Sequence, residues 1–141
     1  MKSENEFNAW LSHELTTRRR QGLFHYKVCD RFTAGVNDFF IWRQGKTLAL
    51  EVKFIKDWPA GKGKILGHTF TGPQQTFLES MALAGNAAYG AVAVGSEKLI
   101  YLIGHAKIPL EGNWTAAEFK GIGFPAYDWT DVAGVLDYCL G

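Results

Sequence analysis

The chain has 141 residues, 47% of them hydrophobic, and a net charge of +1, which suits one domain (1–141) built on a single core and excludes a disordered chain. No apolar run approaches the roughly 20 residues that a membrane-spanning helix needs, so a membrane protein of that kind is excluded too. The acidic, amphipathic start MKSENEFNAW does not read as a secretory signal. Cys29 and Cys139 stand far apart with no CxxC partner, so they predict ordinary thiols in a reducing cytoplasm rather than a disulfide framework or a zinc site.

Residues 3–17 predict a first helix. Ser3 and Glu6 have capping-box spacing, Phe7, Trp10, Leu11 and Leu15 recur at helical spacing, and Arg18, Arg19, Arg20, Gln21 and Gly22 end the segment. Residues 23–29 predict a strand, followed by the loop DRFTAG. Two more strands then form a hairpin: Leu48, Leu50, Val52 and Phe54 alternate with Thr47, Ala49, Glu51 and Lys53, the period-two pattern of a sheet. A two-residue turn at Gln44-Gly45 would set Asp38 directly across from Glu51. Residues 55–70 are basic and contain glycine, and predict a loop. A second helix is expected from Thr71 to about Ala84, with Phe77, Leu78 and Met81 on its packed face and Gly85 as its stop. AVAVG and LIYLI predict two further strands. From Pro109 on, the chain reads as loop and aromatic residues, closing with a short helix near 130–140. Trp114, Phe124, Tyr127 and Trp129 would cover a core edge or a dimer interface. The order α-β-β-β-α-β-β-α predicts an α/β fold with a mixed central sheet flanked by helices.

Charge is distributed unevenly along this order. Residues 16–64 carry eleven Lys and Arg against four Asp and Glu, a local excess of +7, while residues 1–15 are net −2 and 65–141 net −4. A basic excess around the hairpin fits either a phosphate-bearing partner or a solvated face. In the first case Arg18, Arg19, Arg20, Lys56, Lys62 and Lys64 would meet phosphates, and Trp58 could stack on an unpaired base. His13, His25, His68 and His105 are lone histidines without a partner at metal-ligand spacing.

The hairpin is where chemistry is expected. Two carboxylates opposed on one sheet face repel. Buried together, they need either a proton or a cation. Mg²⁺ takes oxygen ligands, keeps several waters and is commonly held by one or two carboxylates plus substrate phosphates; Mn²⁺ is the alternative ion, since oxygen ligands do not separate the two. Lys53 points to the same side as Glu51 and could act on an attacking water, and the Val52 carbonyl could be a further ligand. The bland counterpart is a Glu–Lys pair on a half-exposed sheet.

GVND, with EVK thirteen residues after the aspartate, resembles the PD-(D/E)XK nuclease superfamily, with Asp38 as the aspartate, Glu51-Val52-Lys53 as the E-x-K, and Asn37 in place of the usual proline. The helix, strand, hairpin, helix order is similar to that superfamily's αβββαβ core. SENEFNAWLSHEL is similar to the first helix of the VRR-NUC and Holliday-junction-resolvase-like branch, where a helical glutamate completes the metal site; Glu4 matches that position and Glu6 is its alternative. TGPQQTFLESMALAG resembles that branch's S-P-x-Q helix start, which places Gln74 in a supporting role, with Gln75 as the fallback and the proline displaced by one residue. Gln74 also stands at the fourth position of a T-x-x-Q capping box, its purely structural role. The resemblance spans about residues 3–95. It implies a metal-dependent DNA endonuclease, acting on branched DNA, of a phage or prophage kind and often homodimeric, with Asp38, Glu51, Val52 and Glu4 around the metal and Lys53 and Gln74 beside it. The rival expectations are a restriction-like or exonucleolytic nuclease on linear DNA, and a non-catalytic DNA-binding module of the same fold.

Overall fold

Ser3 caps the first helix, α1 (Glu4–Thr16), by accepting a hydrogen bond from the Glu6 N–H. Phe7, Leu11 and Leu15 line its buried stripe. The computed structural model describes residues 3–28, 35–66, 70–108 and 113–141; Cys29, most of the DRFTAG loop, His68 and the stretch starting at Pro109 lie outside the described residues. After a 3₁₀ turn at Arg19–Gln21 come three strands, β1 (Leu23–Lys27), β2 (Phe39–Arg43) and β3 (Lys46–Ile55). They are followed by α2 (Gly72–Leu83), β4 (Ala87–Val94), β5 (Leu99–Gly104), α3 (Ala116–Ile122), β6 (Ala126–Asp128) and α4 (Val132–Leu140).

The six strands form one sheet in the order β1-β2-β3-β4-β5-β6. All neighbours are antiparallel except β3 and β4, which run parallel. A parallel pair needs a crossover, and α2 supplies it. The β2–β3 turn is the expected one. Gln44 and Gly45 both take positive φ, 51° and 76°, the signature of a two-residue type I′ turn whose twist matches the strands. It fixes the register Phe39↔Leu50, Phe40↔Ala49 and Ile41↔Leu48.

Alternation along β3 divides its side chains between two cores. Leu48, Leu50 and Val52 pack with Phe7, Leu11 and Leu15 of α1 and with Val135 and Leu136 of α4. Ala49 and Ile55 pack with Leu78 of α2 and Phe119 of α3. Glu51 and Lys53 alternate with the first set, so they point into the α2 side, under a helix rather than into solvent.

Two elements correct the expectation of loop between Pro109 and the last helix. The α3 helix is opened by a full Thr115–Glu118 capping box, yet it has only seven residues and one buried side chain, Phe119. The β6 strand has three residues. Neither is long enough to repeat a helical or strand period. The late aromatics cover the core edge: Phe124 and Trp129 are buried, and Trp129 meets Phe7 edge-on at 5.2 Å.

Candidate active site

Asp38 sits one residue before β2, and the ladder continues through it: the Val28 N–H donates to the Asp38 carbonyl at 2.8 Å. Extending the Phe39↔Leu50 register by one residue places Asp38 across from Glu51. Its Oδ2 accepts a hydrogen bond from the Val52 N–H at 2.7 Å. N–H and C=O of one strand residue point to the same side, so the Val52 carbonyl is directed to the Asp38 side as well. Glu51 and Lys53 are only 3% and 4% exposed, which removes the half-exposed surface pair as an account of them. Lys53 Nζ lies 3.7 Å from Glu51 Oε1 and 5.5 Å from the centre of the Phe70 ring.

Gln74 performs both of the roles that its position allows. Its Oε1 accepts from the Thr71 N–H at 2.9 Å, closing the capping box of α2. With the amide held that way round, its Nε2 faces the sheet and donates to Glu51 Oε1 at 2.9 Å. The helix cap thus orients a side-chain donor onto the carboxylate. Gln75 turns elsewhere and donates to the Phe70 carbonyl at 3.1 Å.

Burial is the first influence on both carboxylates, because a low-dielectric site disfavours the charged form. It pushes Glu51 up to about 9, helped by the Asp38 charge and opposed by Lys53. It also raises Asp38, against the lowering pull of the Val52 N–H. Glu51 Oε2 is buried and has no hydrogen-bond partner. An orphaned oxygen beside a second carboxylate requires either a proton or a cation. The donors are oxygens without nitrogen or sulfur ligands, the set suited to a hard divalent cation with water and phosphate in its remaining positions. Among the described residues no three His, Cys, Asp or Glu side chains group closely enough to hold a metal. The pair Asp38 and Glu51 is therefore the carboxylate core of the candidate centre. Its fit to a cation can be tested without any reaction. Millimolar Mg²⁺ or Mn²⁺ at pH 8 is expected to raise the melting temperature of the wild-type protein by several degrees, since a ligand that binds only the folded state stabilises it by mass action. Asp38→Asn should lose that response in a thermal melt with and without EDTA.

The structure separates the other predicted residues. Glu4, half-buried in the first turn of α1, is near enough for its charge to raise Glu51; Glu6 is exposed and contributes its N–H to the Ser3 cap. Arg18, Arg19 and Arg20 follow the other end of that helix, roughly 20 Å away along its axis, with Arg18 donating to the Glu14 carbonyl at 2.7 Å. Lys56 directly follows β3 and is exposed, as are Lys62 and Lys64. Lys64 is within 3.8 Å of Glu118. Trp58 is not poised to stack on a base: its Nε1 donates to Glu97 at 2.7 Å, and its ring packs against Tyr101 and Phe119 under the Lys120 amine. His25 is buried against the Ser12 hydroxyl at 2.9 Å, and burial pushes the Cys139 thiol up to about 12, the behaviour of an inert core thiol.

Three supporting residues, Phe70, Gly90 and Gly35, escaped the sequence analysis, and Asn37 entered it only as a replacement for proline. Phe70 walls the Lys53 amine, and Gly90, paired with Glu51 in register, leaves room for that ring; an added Cβ would fall 2.8 Å from it. Asn37, buried to 1%, donates to the Phe39 carbonyl, a bond that a proline at this position could not make. Gly35 has φ +82°, and a Cβ there would lie 2.3 Å from the Pro73 backbone at the start of α2. It lets the segment carrying Asp38 press onto the helix carrying Gln74. A glycine before the aspartate motif and another in the neighbouring strand were the available signals. Gly35→Ala is expected to lower stability by at least about 1 kcal/mol, from left-handed strain plus overpacking, and to slow any reaction at Asp38. A denaturant melt that matches the wild type would show that this close approach is dispensable.

No protein-family model matches the chain, and no curated protein matches it in sequence. Its fold matches solved structures. One is Hjc, a Holliday junction resolvase from the archaeal hyperthermophile Archaeoglobus fulgidus, with a TM-score of 0.56 at 18% identity over 92% of this chain and 98% of that one. At this identity the likeness establishes the fold: a resolvase-type, restriction-endonuclease-like α/β core.

Proposed function

We propose that the protein is a metal-dependent DNA endonuclease of the PD-(D/E)XK superfamily that hydrolyses phosphodiester bonds in branched DNA. The observation that carries this reading is the buried Asp38–Glu51 pair with its unpartnered oxygen, held beside the Lys53 amine. In the metal-free protein a proton shared between Glu51 and Asp38 satisfies the pair, and a divalent cation would take that proton's place.

Asp38, Glu51 and the Val52 carbonyl would hold Mg²⁺, or Mn²⁺, with Glu4 approaching from α1. When bound, such an ion polarises a phosphoryl oxygen and lowers the pKa of a water. The residues of the chain do the rest. Lys53 stands on the same side as the carboxylates, where its amine can orient the attacking water or offset charge on the phosphate. Gln74 holds Glu51 Oε1 in place. Lys56, Lys62 and Lys64 draw the phosphate backbone toward this end of β3. Cleavage by in-line attack would leave 3′-OH and 5′-phosphate ends. The motif resemblance extends the reading to a VRR-NUC-like or resolvase-like enzyme of DNA repair or recombination, of phage or prophage origin, working in the cytoplasm as a homodimer. No helix among the described residues is long and apolar enough to cross a membrane.

The test is a cleavage assay on labelled four-way junction, flap, linear duplex and single-stranded DNA, each with Mg²⁺, with Mn²⁺ and with EDTA. Metal-dependent cutting of the branched substrates is the expected result. Cutting confined to linear DNA would keep the chemistry and move the role to restriction or degradation. DNA binding with no cutting under any condition would overturn the nuclease reading in favour of a binding module.

A further inference from the structure

The side of β2 that carries Asp38 also carries Phe40 and Trp42, by strand alternation. Across from these stand Tyr26 and Phe24 of β1. The rings touch: Phe24 and Trp42 are 5.5 Å apart by centroids, Phe40 and Trp42 6.1 Å, and Phe77 of α2 closes the inner end 6.2 Å from Phe40. Phe24, Tyr26 and Trp42 are nevertheless 54%, 57% and 36% exposed. The α2 helix lies over β3 and β4, and among the described residues no helix covers this outer half of the same sheet face.

A contiguous exposed aromatic patch marks a binding surface, and its setting here selects the occupant. The row starts at Asp38 and runs roughly 13 Å outward along β2. At its outer end the Arg19 guanidinium lies 5.8 Å from the Phe24 ring centre, with Arg18 and Arg20 on either side in sequence. Aromatic planes in a row, edged by cations, suit unpaired bases and their phosphates, since every base offers a π-face for stacking. A second copy of the chain suits the surface less well. A two-fold contact buries the same patch on both subunits, which would turn this arginine cluster toward its own copy.

We propose that the Phe24–Tyr26–Trp42 face stacks unpaired bases of the nucleic acid whose backbone enters the Asp38–Glu51 site. The substrate class is then DNA with a single-stranded or splayed segment next to the scissile phosphate, an inference that rests on the nuclease reading above. Because stacking tolerates any base, the face confers a preference for unpaired structure and none for sequence.

The experiment is equilibrium binding in EDTA, where strands stay intact, to a labelled oligothymidine and to a blunt duplex. Phe24→Ser combined with Tyr26→Ser is expected to lower the preference for the single strand over the duplex about fivefold or more per ring removed. Both side chains are exposed, so the fold should hold, and circular dichroism checks it. The single strand should also quench tryptophan emission more in the wild type than in Trp42→Phe. An unchanged preference, or equal weakening of both ligands, overturns the proposal. So does a variant that is monomeric where the wild type is dimeric by light scattering before DNA is added, because the face would then join copies of the chain. Failure of the nuclease reading is distinguishable: loss of preference in the variant, with no cleavage by wild-type protein supplied with Mg²⁺, would uphold the stacking face and remove the enzyme.

Discussion

Lys53→Ala is expected to lower the single-turnover cleavage rate by about 10²- to 10⁴-fold, the range associated with losing a positioned proton-transfer or charge-stabilising group. The amine has little freedom. It is 4% exposed, 3.7 Å from Glu51 Oε1, and walled by Phe70. A larger guanidinium would have to displace that wall, so Lys53→Arg should not restore the rate, although it keeps the charge. The contrast is with the exposed lysines. Lys56→Ala or Lys62→Ala should weaken DNA binding, reduce the salt dependence of that binding by about one unit of slope, and leave the rate at saturating DNA near wild type. A Lys53→Ala protein that cuts at the wild-type rate would make the amine a structural partner of Glu51 and remove it from the chemistry.

The second large effect is on stability and is read without DNA. Burial pushes the Glu51 carboxyl in the folded protein up to about 9 from its ordinary value of 4.5. Between those values the folded protein binds the proton that the unfolded chain releases. Metal-free stability is therefore highest below about pH 4.5 as far as this group is concerned, and falls as pH rises toward 9, by at most about 1.4 kcal/mol per pH unit. Asp38, also raised by burial, acts in the same direction. For a chain of this size each kcal/mol is worth about 4 °C in melting temperature. Glu51→Gln removes the titration while keeping a similar shape, so the variant should melt several degrees above the wild type at pH 8 and show a flatter profile between pH 5 and 9. Parallel profiles for the two proteins in EDTA would show that Glu51 is not held protonated in the fold. Two readouts of one variant should move in opposite directions: Glu51→Gln should gain stability and lose cleavage, the trade-off expected where a site stores an unfavourable charge arrangement.

The hairpin is legible in the sequence because its rules are local. A Gln-Gly turn fixes a two-residue connection, the connection fixes the register, and the register alone sets Asp38 across from Glu51. The same is true of the ends of α2, where Thr71, Gln74 and Gly85 are adjacent in sequence to the backbone groups that they satisfy. Even the competition over Gln74, helix cap or site residue, was visible as a competition. Its outcome was not, because an amide that caps with its oxygen can still donate with its nitrogen only if a carboxylate lies within reach, and that carboxylate belongs to a strand 23 residues away.

What the amino-acid sequence by itself determined was thus the alternation of β3, the register of Asp38 on Glu51, the capped helices and the basic bias around them. Tertiary structure alone decided that the second face of β3, the one carrying Glu51 and Lys53, is covered as well. Period two says that Glu51 and Lys53 share a side; only the parallel β3–β4 crossover through α2 puts a helix over that side and turns a surface pair into a buried one. Tertiary packing likewise decided that Trp58 is tied to Glu97 while Phe24, Tyr26 and Trp42 stay open, that Gly35 and Gly90 are the gaps into which Pro73 and Phe70 fit, and that the arginines after α1 stand a helix length from the carboxylates. Burial, contact and distance depend on which segments meet across the sheet, and that is set by long-range packing rather than by neighbours along the chain.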